Sequence, residues 1–471
     1  MTRPLIALAA LSLAIPAFAA PAPLTLTLEQ QAEAALDKDE NAYAFVEGLT
    51  TEVGPRQAGT EAEARAREWA AAWLRNAGFD NVAIEPFMMD TWVPGDVARA
   101  RVTSPFAQDL AVLPLGNSAA TPAGGIEAEV VFFRTVDDLR AAPAGSLKGK
   151  IAYISHQMRP AQDGSHYGFA GPARWVGAGI AASKGAVATV IKSVGTDHHR
   201  NPHTGGTSFP EGVTPIPAGA LSLPDAENLE RMFARAGGRP VTLRLEMNPR
   251  QIGQTESGNV VGEIVGRNPA LPPLLLACHI DSWWNAPGAF DDGAGCGIII
   301  AAAGYAGQHQ PLRTIRVLLA GAEETGLWGS KAYSDAHIGE RIAVGLESDF
   351  GADRIWRFDS NFRETNPALH KKIAAAVARF GVSSGSDAAT GGADLNIVRD
   401  QKGALVDLQQ DGTRYFDLHH TPDDTLDKID IVQLRQNVAV WTQVVGILAN
   451  EETAILTGGP IPAAPAIMQG Q

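Results

Sequence analysis

Residues 274–306 read LLLACHIDSWWNAPGAFDDGAGCGIIIAAAGYA. The run 274–278 is short and continuously apolar, the pattern of a strand covered on both faces. It leads into His279-Ile280-Asp281, and after a loop Asp291-Asp292-Gly293 opens a helix placed at about 292–306. A buried strand, a loop rich in ionisable side chains and an apolar helix form the repeating unit of an α/β fold.

The rhythm extends outward. Strand patterns fall at 259–265, 314–319, 342–347 and 404–408, and helical patterns at 328–337, 366–380 and 431–449. Upstream, helical periodicity over 28–52 ends at Val53-Gly54-Pro55. Thr60-Glu61-Ala62-Glu63 reads as a capping box, with Glu63 returning to the cap. Ala66, Trp69, Trp73 and Leu74 then share a face, Gly78 stops that helix, and a strand starts over 81–84. The expected architecture is α/β, with a mostly parallel central sheet flanked by helices.

From about 112 the texture changes. Strand patterns at 128–133, 150–155 and 188–194 alternate with Gly/Pro-rich loops, and helical pieces lie at 174–184 and 224–237. This predicts a domain inserted over 112–255, which splits the larger domain into 20–111 and 256–455. The Pro/Gly/Ala-rich residues 456–471 read as a flexible tail.

Composition narrows the options. With 38 Lys+Arg against 52 Asp+Glu, the net charge of −14 argues against a protein built to grip phosphate backbones. Met1-Thr2-Arg3, an apolar run and Ala17-Phe18-Ala19 form an export signal over 1–19. That run is too short to span a bilayer, and no other stretch reaches that length, so the processed chain is expected to be soluble and either periplasmic or secreted. Cys278 and Cys296, the two cysteines, exclude a disulfide-rich scaffold. Flanking a dense motif, they are expected to be buried free thiols.

Ligand-type residues gather at the predicted carboxyl ends of the strands, where open α/β sheets place their sites. His279 and Asp281 follow the first strand, Glu323-Glu324 the second and Glu347-Ser348-Asp349 the third. Asp291-Asp292 sits at a helix start, and His419-His420-Thr421-Pro422-Asp423-Asp424 comes late. Two imidazoles and three carboxylates, one of them shared, suit two zinc ions ~3.5–4 Å apart. A further carboxylate beside them suits a general base. Each motif alone is commonplace; their coincidence at strand ends carries the reading.

At these residues the chain resembles the zinc aminopeptidase and glutamate carboxypeptidase family of co-catalytic metallopeptidases, and within it the carboxypeptidase Q branch with its bacterial relatives. The match includes Val53-Gly54-Pro55-Arg56, Pro202-His203-Thr204-Gly205, His279 to Trp283, Gly288 to Gly293, Ala322-Glu323-Glu324, Glu347-Ser348-Asp349, Gly392-Ala393-Asp394-Leu395 and Tyr415-Phe416 through His419-His420-Thr421. The resemblance implies that His279 and Asp349 hold one zinc, Glu324 and His420 the other, and Asp291 bridges them. It implies Glu323 as general base and acid, Asp281 as the residue orienting His279, and Asp292 as shaping the turn that presents Asp291. His420 is preferred to His419 because the family ligand directly precedes Thr or Ser. The inserted segment resembles a protease-associated domain that restricts the cleft to short peptides, and a homodimer is implied as well.

The expected activity is therefore that of an exported dinuclear zinc exopeptidase acting on dipeptides or short peptides. An aminopeptidase rather than a carboxypeptidase or dipeptidase, a one-zinc glutaminyl cyclase and a non-catalytic peptide-binding relative are the alternatives. A free amino terminus calls for a carboxylate near the metals, and a free carboxylate calls for Arg or Lys, with Arg414 a nearby candidate. Tyr415 is a candidate oxyanion donor and Asp394 a candidate substrate contact or turn cap. Trp283 and Trp284 are expected either to wall the pocket or to pack in the core. Asp197-His198-His199 and His203 are read as a solvated polar loop, although His203 is also a candidate to reach the cleft.

Overall fold

The computed structural model describes residues 26–308 and 310–455. The expected leader, 1–19, and tail, 456–471, lie outside the described residues. The opening run is the strand Leu274–His279, buried throughout. Leu274, Leu276 and Cys278 enter one apolar core, and Leu275 and Ala277 enter another on the opposite face, as a side-chain period of two requires. Helices Ala294–Gly307 and Ile431–Ala449 cover the first face. Tyr333 of Trp328–Ala336 and Ile397 and Val398 of Asn396–Asp400 cover the second.

The first sheet has eight strands in the order Asp80–Val93, Arg250–Ile264, Ile315–Ala320, Leu274–His279, Val344–Glu347, Ala404–Gln410, Ile355–Ser360 and Ser383–Ser384. The centre, from Ile315–Ala320 to Ala404–Gln410, is parallel. Antiparallel pairs flank it on both sides. The expected parallel strands form the centre of the sheet, which is mixed because antiparallel pairs flank them. Asp80–Val93 and Arg250–Ile264 form a long antiparallel ribbon, paired from Asp80 with Glu263 to Val93 with Arg250. The far end of that ribbon leads into the second sheet.

The second sheet also has eight strands: Gln108–Leu110, Ala98–Ser104, Thr242–Met247, Ile126–Phe133, Ile151–Ile154, Ala188–Lys192, Ala218–Leu221 and Val112–Pro114. Helix Leu223–Arg235 packs onto it through Ala226, Leu229 and Met232 in a separate core. Strand Ala98–Ser104 already belongs to this sheet, upstream of the composition change at 112. Its half-exposed, Arg-containing sequence hides that membership.

Two local expectations are corrected. Cys278 and Cys296 form a disulfide; they are not free thiols, because the helix after Asp291-Asp292 folds back onto the strand and brings their Cα atoms to 5.2 Å, within bridging range. The Thr60 capping box is absent. The Thr60 hydroxyl donates to the Gln57 carbonyl at 2.7 Å. Glu63 turns inward instead, to Arg67 Nε at 2.9 Å and the Ser257 hydroxyl at 3.1 Å, because its position on helix Glu61–Asn76 is buried. No described helix is long and apolar enough to cross a membrane.

Candidate metal centre

Five chain segments meet beyond the carboxyl ends of the parallel strands. His279 ends its strand, Asp291 precedes helix Ala294–Gly307, Glu323-Glu324 follow Ile315–Ala320, and Asp349 follows Val344–Glu347. His419-His420 arrive on the loop after Ala404–Gln410. The structure thus brings together His279, Asp291, Glu324, Asp349 and His420, and Glu323 lines the same cavity, of about 250 Å³.

The two oxygens of Asp291 face different imidazoles. Oδ1 lies 3.2 Å from His279 Nε2, and Oδ2 lies 3.5 Å from His420 Nε2. His279 Nε2 is 3.5 Å from Asp349 Oδ1, and His420 Nε2 is 2.8 Å from Glu324 Oε2. His419 is farther from Asp291 Oδ2, at 3.9 Å, and its ring stacks on His420 with centroids 3.5 Å apart.

The electrostatics suit a cation. Burial, with Asp349, Asp281 and Asp291 nearby, pushes the Glu323 carboxyl well above its usual range, and burial with Asp291 does the same to Glu324. Asp291 Oδ2 is buried and receives no hydrogen bond. Carboxylates crowded at this depth without counter-ions repel one another, and bound divalent charge removes that repulsion. Burial lowers His420 well below its ordinary value, which favours the neutral ring that a metal ligand must present. This set of imidazoles and carboxylates therefore fits divalent metal.

Supporting residues hold the set in place. His279 Nδ1 lies 3.1 Å from the main-chain carbonyl of Asp281 and 3.6 Å from its Oδ1. The orienting contact from Asp281 thus comes mainly through its backbone. Its carboxylate instead accepts the N–H groups of Glu323 and Glu324, at 3.1 and 3.4 Å. Asp292 follows Asp291 through a cis peptide bond and accepts the N–H of His279 and Gly295, each at 3.1 Å. Gly295 is required here, because an added Cβ would lie 2.0 Å from the Ser348 carbonyl.

Asp424 and Arg56, to which the sequence assigned no role, and Trp283, expected to wall the pocket or pack in the core, also support the set. Asp424 accepts the N–H of Phe290 at 2.5 Å and of Asp291 at 3.1 Å, and burial raises it to about 7. Arg56, fully buried, donates to the carbonyls of Ile280, Pro287 and Gly288 and so braces the loop between strand and helix. Trp283 Nε1 donates to Glu324 Oε2 at 2.6 Å. The motifs containing these residues were visible in the chain, but a hydrogen bond between distant segments leaves no periodic signal.

Other candidates separate. Trp283 is buried behind Glu324, and Trp284 packs against it and Trp92. Tyr415 lines the cavity. Asp394 is buried, with both carboxylate oxygens lacking a hydrogen-bond partner. Its N–H and that of Ala393 are capped by Glu347. Arg414 turns away from the cavity onto Asp353, with two contacts of 2.6 Å. Asp197 and His203 are buried rather than solvated, and His203 reaches the His419 carbonyl. His199 remains largely exposed.

Comparison with known proteins places the chain in a peptidase family. The pattern of Peptidase family M28 matches residues 259–445. Carboxypeptidase Q from Bos taurus is 31% identical over 409 residues, covering 86% of this chain and 84% of that protein. Aminopeptidase YwaD from Bacillus subtilis (strain 168) is 26% identical, covering 68% of this chain and 62% of its own. The crystal structure of a peptidase M28 precursor from Shewanella amazonensis SB2B superposes with a TM-score of 0.88 at 42% identity, covering 92% of this chain and 98% of the other.

Proposed function

Given that the chain belongs to peptidase family M28 and is a metallopeptidase of the exopeptidase type, we propose that it is an exported dinuclear zinc enzyme hydrolysing dipeptides or short peptides. The observation that carries this reading is Asp291, whose two oxygens face two imidazoles, each with its own carboxylate partner. His279 and Asp349 would hold one ion, Glu324 and His420 the other, and Asp291 both. When bound, the pair supplies Lewis acidity for the scissile carbonyl and makes a water acidic enough to attack at neutral pH.

Glu323 lies beside that set, held through its backbone by Asp281. It takes the proton of the attacking water and delivers it to the nitrogen of the leaving amine, so one carboxylate serves both steps. Asp281, Asp292 and Asp424 fix the main chain of His279, Asp291 and Glu323 and keep the reacting groups in place. The second sheet unit serves as an inserted protease-associated-like domain beside the cleft, supporting short substrates over folded proteins. Export rests on residues 1–19 of the sequence.

The cavity wall bears on the choice of peptide end. Asp163, Glu347 and Asp407 line it together with the metal-centre carboxylates, and among the described residues no Lys or Arg does. A wall of that sign attracts an ammonium group and repels a carboxylate, which supports recognition of a free amino terminus. The test is hydrolysis of matched free, N-blocked and C-blocked peptides by zinc-loaded protein, alongside zinc counted per chain. Loss on N-blocked substrates is expected. Cleavage of N-blocked peptides at the rate of free ones contradicts amino-terminal recognition, and fewer than two zinc ions per active chain contradicts the dinuclear site.

A further inference from the structure

Asp197 and His203 belong to the second sheet unit, yet both are buried, at 6% and 0% exposure. Each nitrogen of the His203 ring faces an oxygen: Nε2 lies 2.6 Å from Asp197 Oδ1, and Nδ1 donates to the His419 carbonyl at 2.9 Å. The next residue grips the next link of the same loop. The Thr204 N–H donates to the His420 carbonyl at 3.1 Å, and the Thr204 carbonyl lies 3.2 Å from His420 Nδ1. Farther back, the Thr196 N–H donates to the Phe416 carbonyl at 3.0 Å.

This grip acts on a residue with a special backbone. His420 has φ of +61°, a left-handed conformation that is unfavourable for a residue with a Cβ. Its carbonyl is fixed from two sides, by the Thr204 N–H and by Asn285 Nδ2 at 2.9 Å.

The tautomer of His420 is also at stake. Arg174 Nη1 lies 3.1 Å from Nδ1, about as close as the Thr204 carbonyl. A guanidinium only donates. Bonding to it would leave the ring proton on Nε2 and close that atom to a cation. The Thr204 carbonyl only accepts, so it draws the proton to Nδ1 and leaves the Nε2 lone pair facing Glu324 and Asp291.

We propose that Asp197, His203 and Thr204 of the second sheet unit form a positioning element of the metal centre. Asp197, acting through His203, holds the His419-His420 turn, and the Thr204 carbonyl sets the tautomer of His420 that binds the cation shared with Glu324 and Asp291. The inference rests on the two-metal reading and adds that the inserted unit sets the retention of one ion of the pair. Gly195 belongs to the same device, because a Cβ there would lie 2.2 Å from the His203 ring and displace it.

The test is a chelator titration of the purified zinc-loaded chain, with zinc per chain read by mass spectrometry, for wild type, His203→Ala, Gly195→Ala and His199→Ala. His199 is the control, on the same loop but bonded to Asp423. One of two ions is expected to leave His203→Ala at a ~10–100-fold lower chelator concentration, the range for loss of a group that orients a ligand. The other ion should leave as in wild type, and His199→Ala should follow wild type. Gly195→Ala removes no polar group but displaces the His203 ring and should reproduce the selective loss, so the idea stays testable if His203→Ala does not fold. Variant curves superimposed on wild type, or both ions released together with equal shifts, overturn the positioning role alone. A wild-type chain that never holds two ions overturns the two-metal reading and this inference with it.

Discussion

The carboxylate of Asp281 accepts the backbone N–H of Glu323 at 3.1 Å, joining the end of strand Leu274–His279 to the end of strand Ile315–Ala320. The same carboxylate takes the Glu324 N–H at 3.4 Å, so one side chain locates both the proposed base and a proposed ligand. Asp281→Ala leaves these N–H groups buried and unpaired, at ~1–3 kcal/mol each. Activity should fall by ~10–100-fold or more, with weaker zinc retention and a lower urea midpoint. Wild-type values for all three would contradict the link.

Glu323→Gln keeps the shape of the side chain and removes its capacity to take a proton. The expected loss in kcat is ~10²–10⁴-fold, the range for a general base, with zinc content unchanged because Glu323 is not among the proposed ligands. Parallel kinetics and metal analysis distinguish this from a ligand defect. A variant that retains hydrolysis removes Glu323 from the mechanism.

Metal removal should destabilise the fold as well as abolish activity. Ions that bind only the folded chain stabilise it by ~2.7 kcal/mol at a concentration one hundred times the dissociation constant. Melting curves with and without chelator are expected to separate, and zinc should restore both melting temperature and activity. Identical curves would mean that the carboxylate cluster tolerates its own repulsion.

Glu63 should impose a pH dependence on stability. Burial, only partly offset by Arg67, raises its carboxyl from 4.5 to about 7. Below the lower value the acid is protonated in the folded and the unfolded chain alike. Between the two values the folded chain keeps a proton that the unfolded chain has released, so this contribution to stability is lost as pH rises through about 7. Glu63→Gln should flatten the fall in urea midpoint across that window, and an equally steep fall in the variant would assign the effect elsewhere.

The elements at the heart of the site were legible because their signals are local. The strand at 274–279 is apolar on both faces, the helices at 294–307 and 431–449 have sharp limits, and ligand-type residues stand where strands end. Strand Ala98–Ser104 and the antiparallel flank of the first sheet were not legible, because pairing direction and sheet membership depend on partners distant in the chain. Glu63 misled for the same reason. Its spacing from Thr60 satisfies a capping box, but burial against Arg67 and Ser257 competes for the same carboxylate.

Periodicity and residue chemistry, written within short windows, are enough to fix the α/β class, the ligand-type residues and the strand ends at which they stand. The Cys278–Cys296 bond, the hold of the Asp281 carboxylate on the Glu323 and Glu324 N–H groups, and the grip of His203 and Thr204 on His419 and His420 emerge only in three dimensions. Each of these is a contact between segments far apart in the chain or set by how a loop folds back. Hydrogen bonds and disulfides depend on ångström-scale approach, which packing establishes and sequence spacing does not encode.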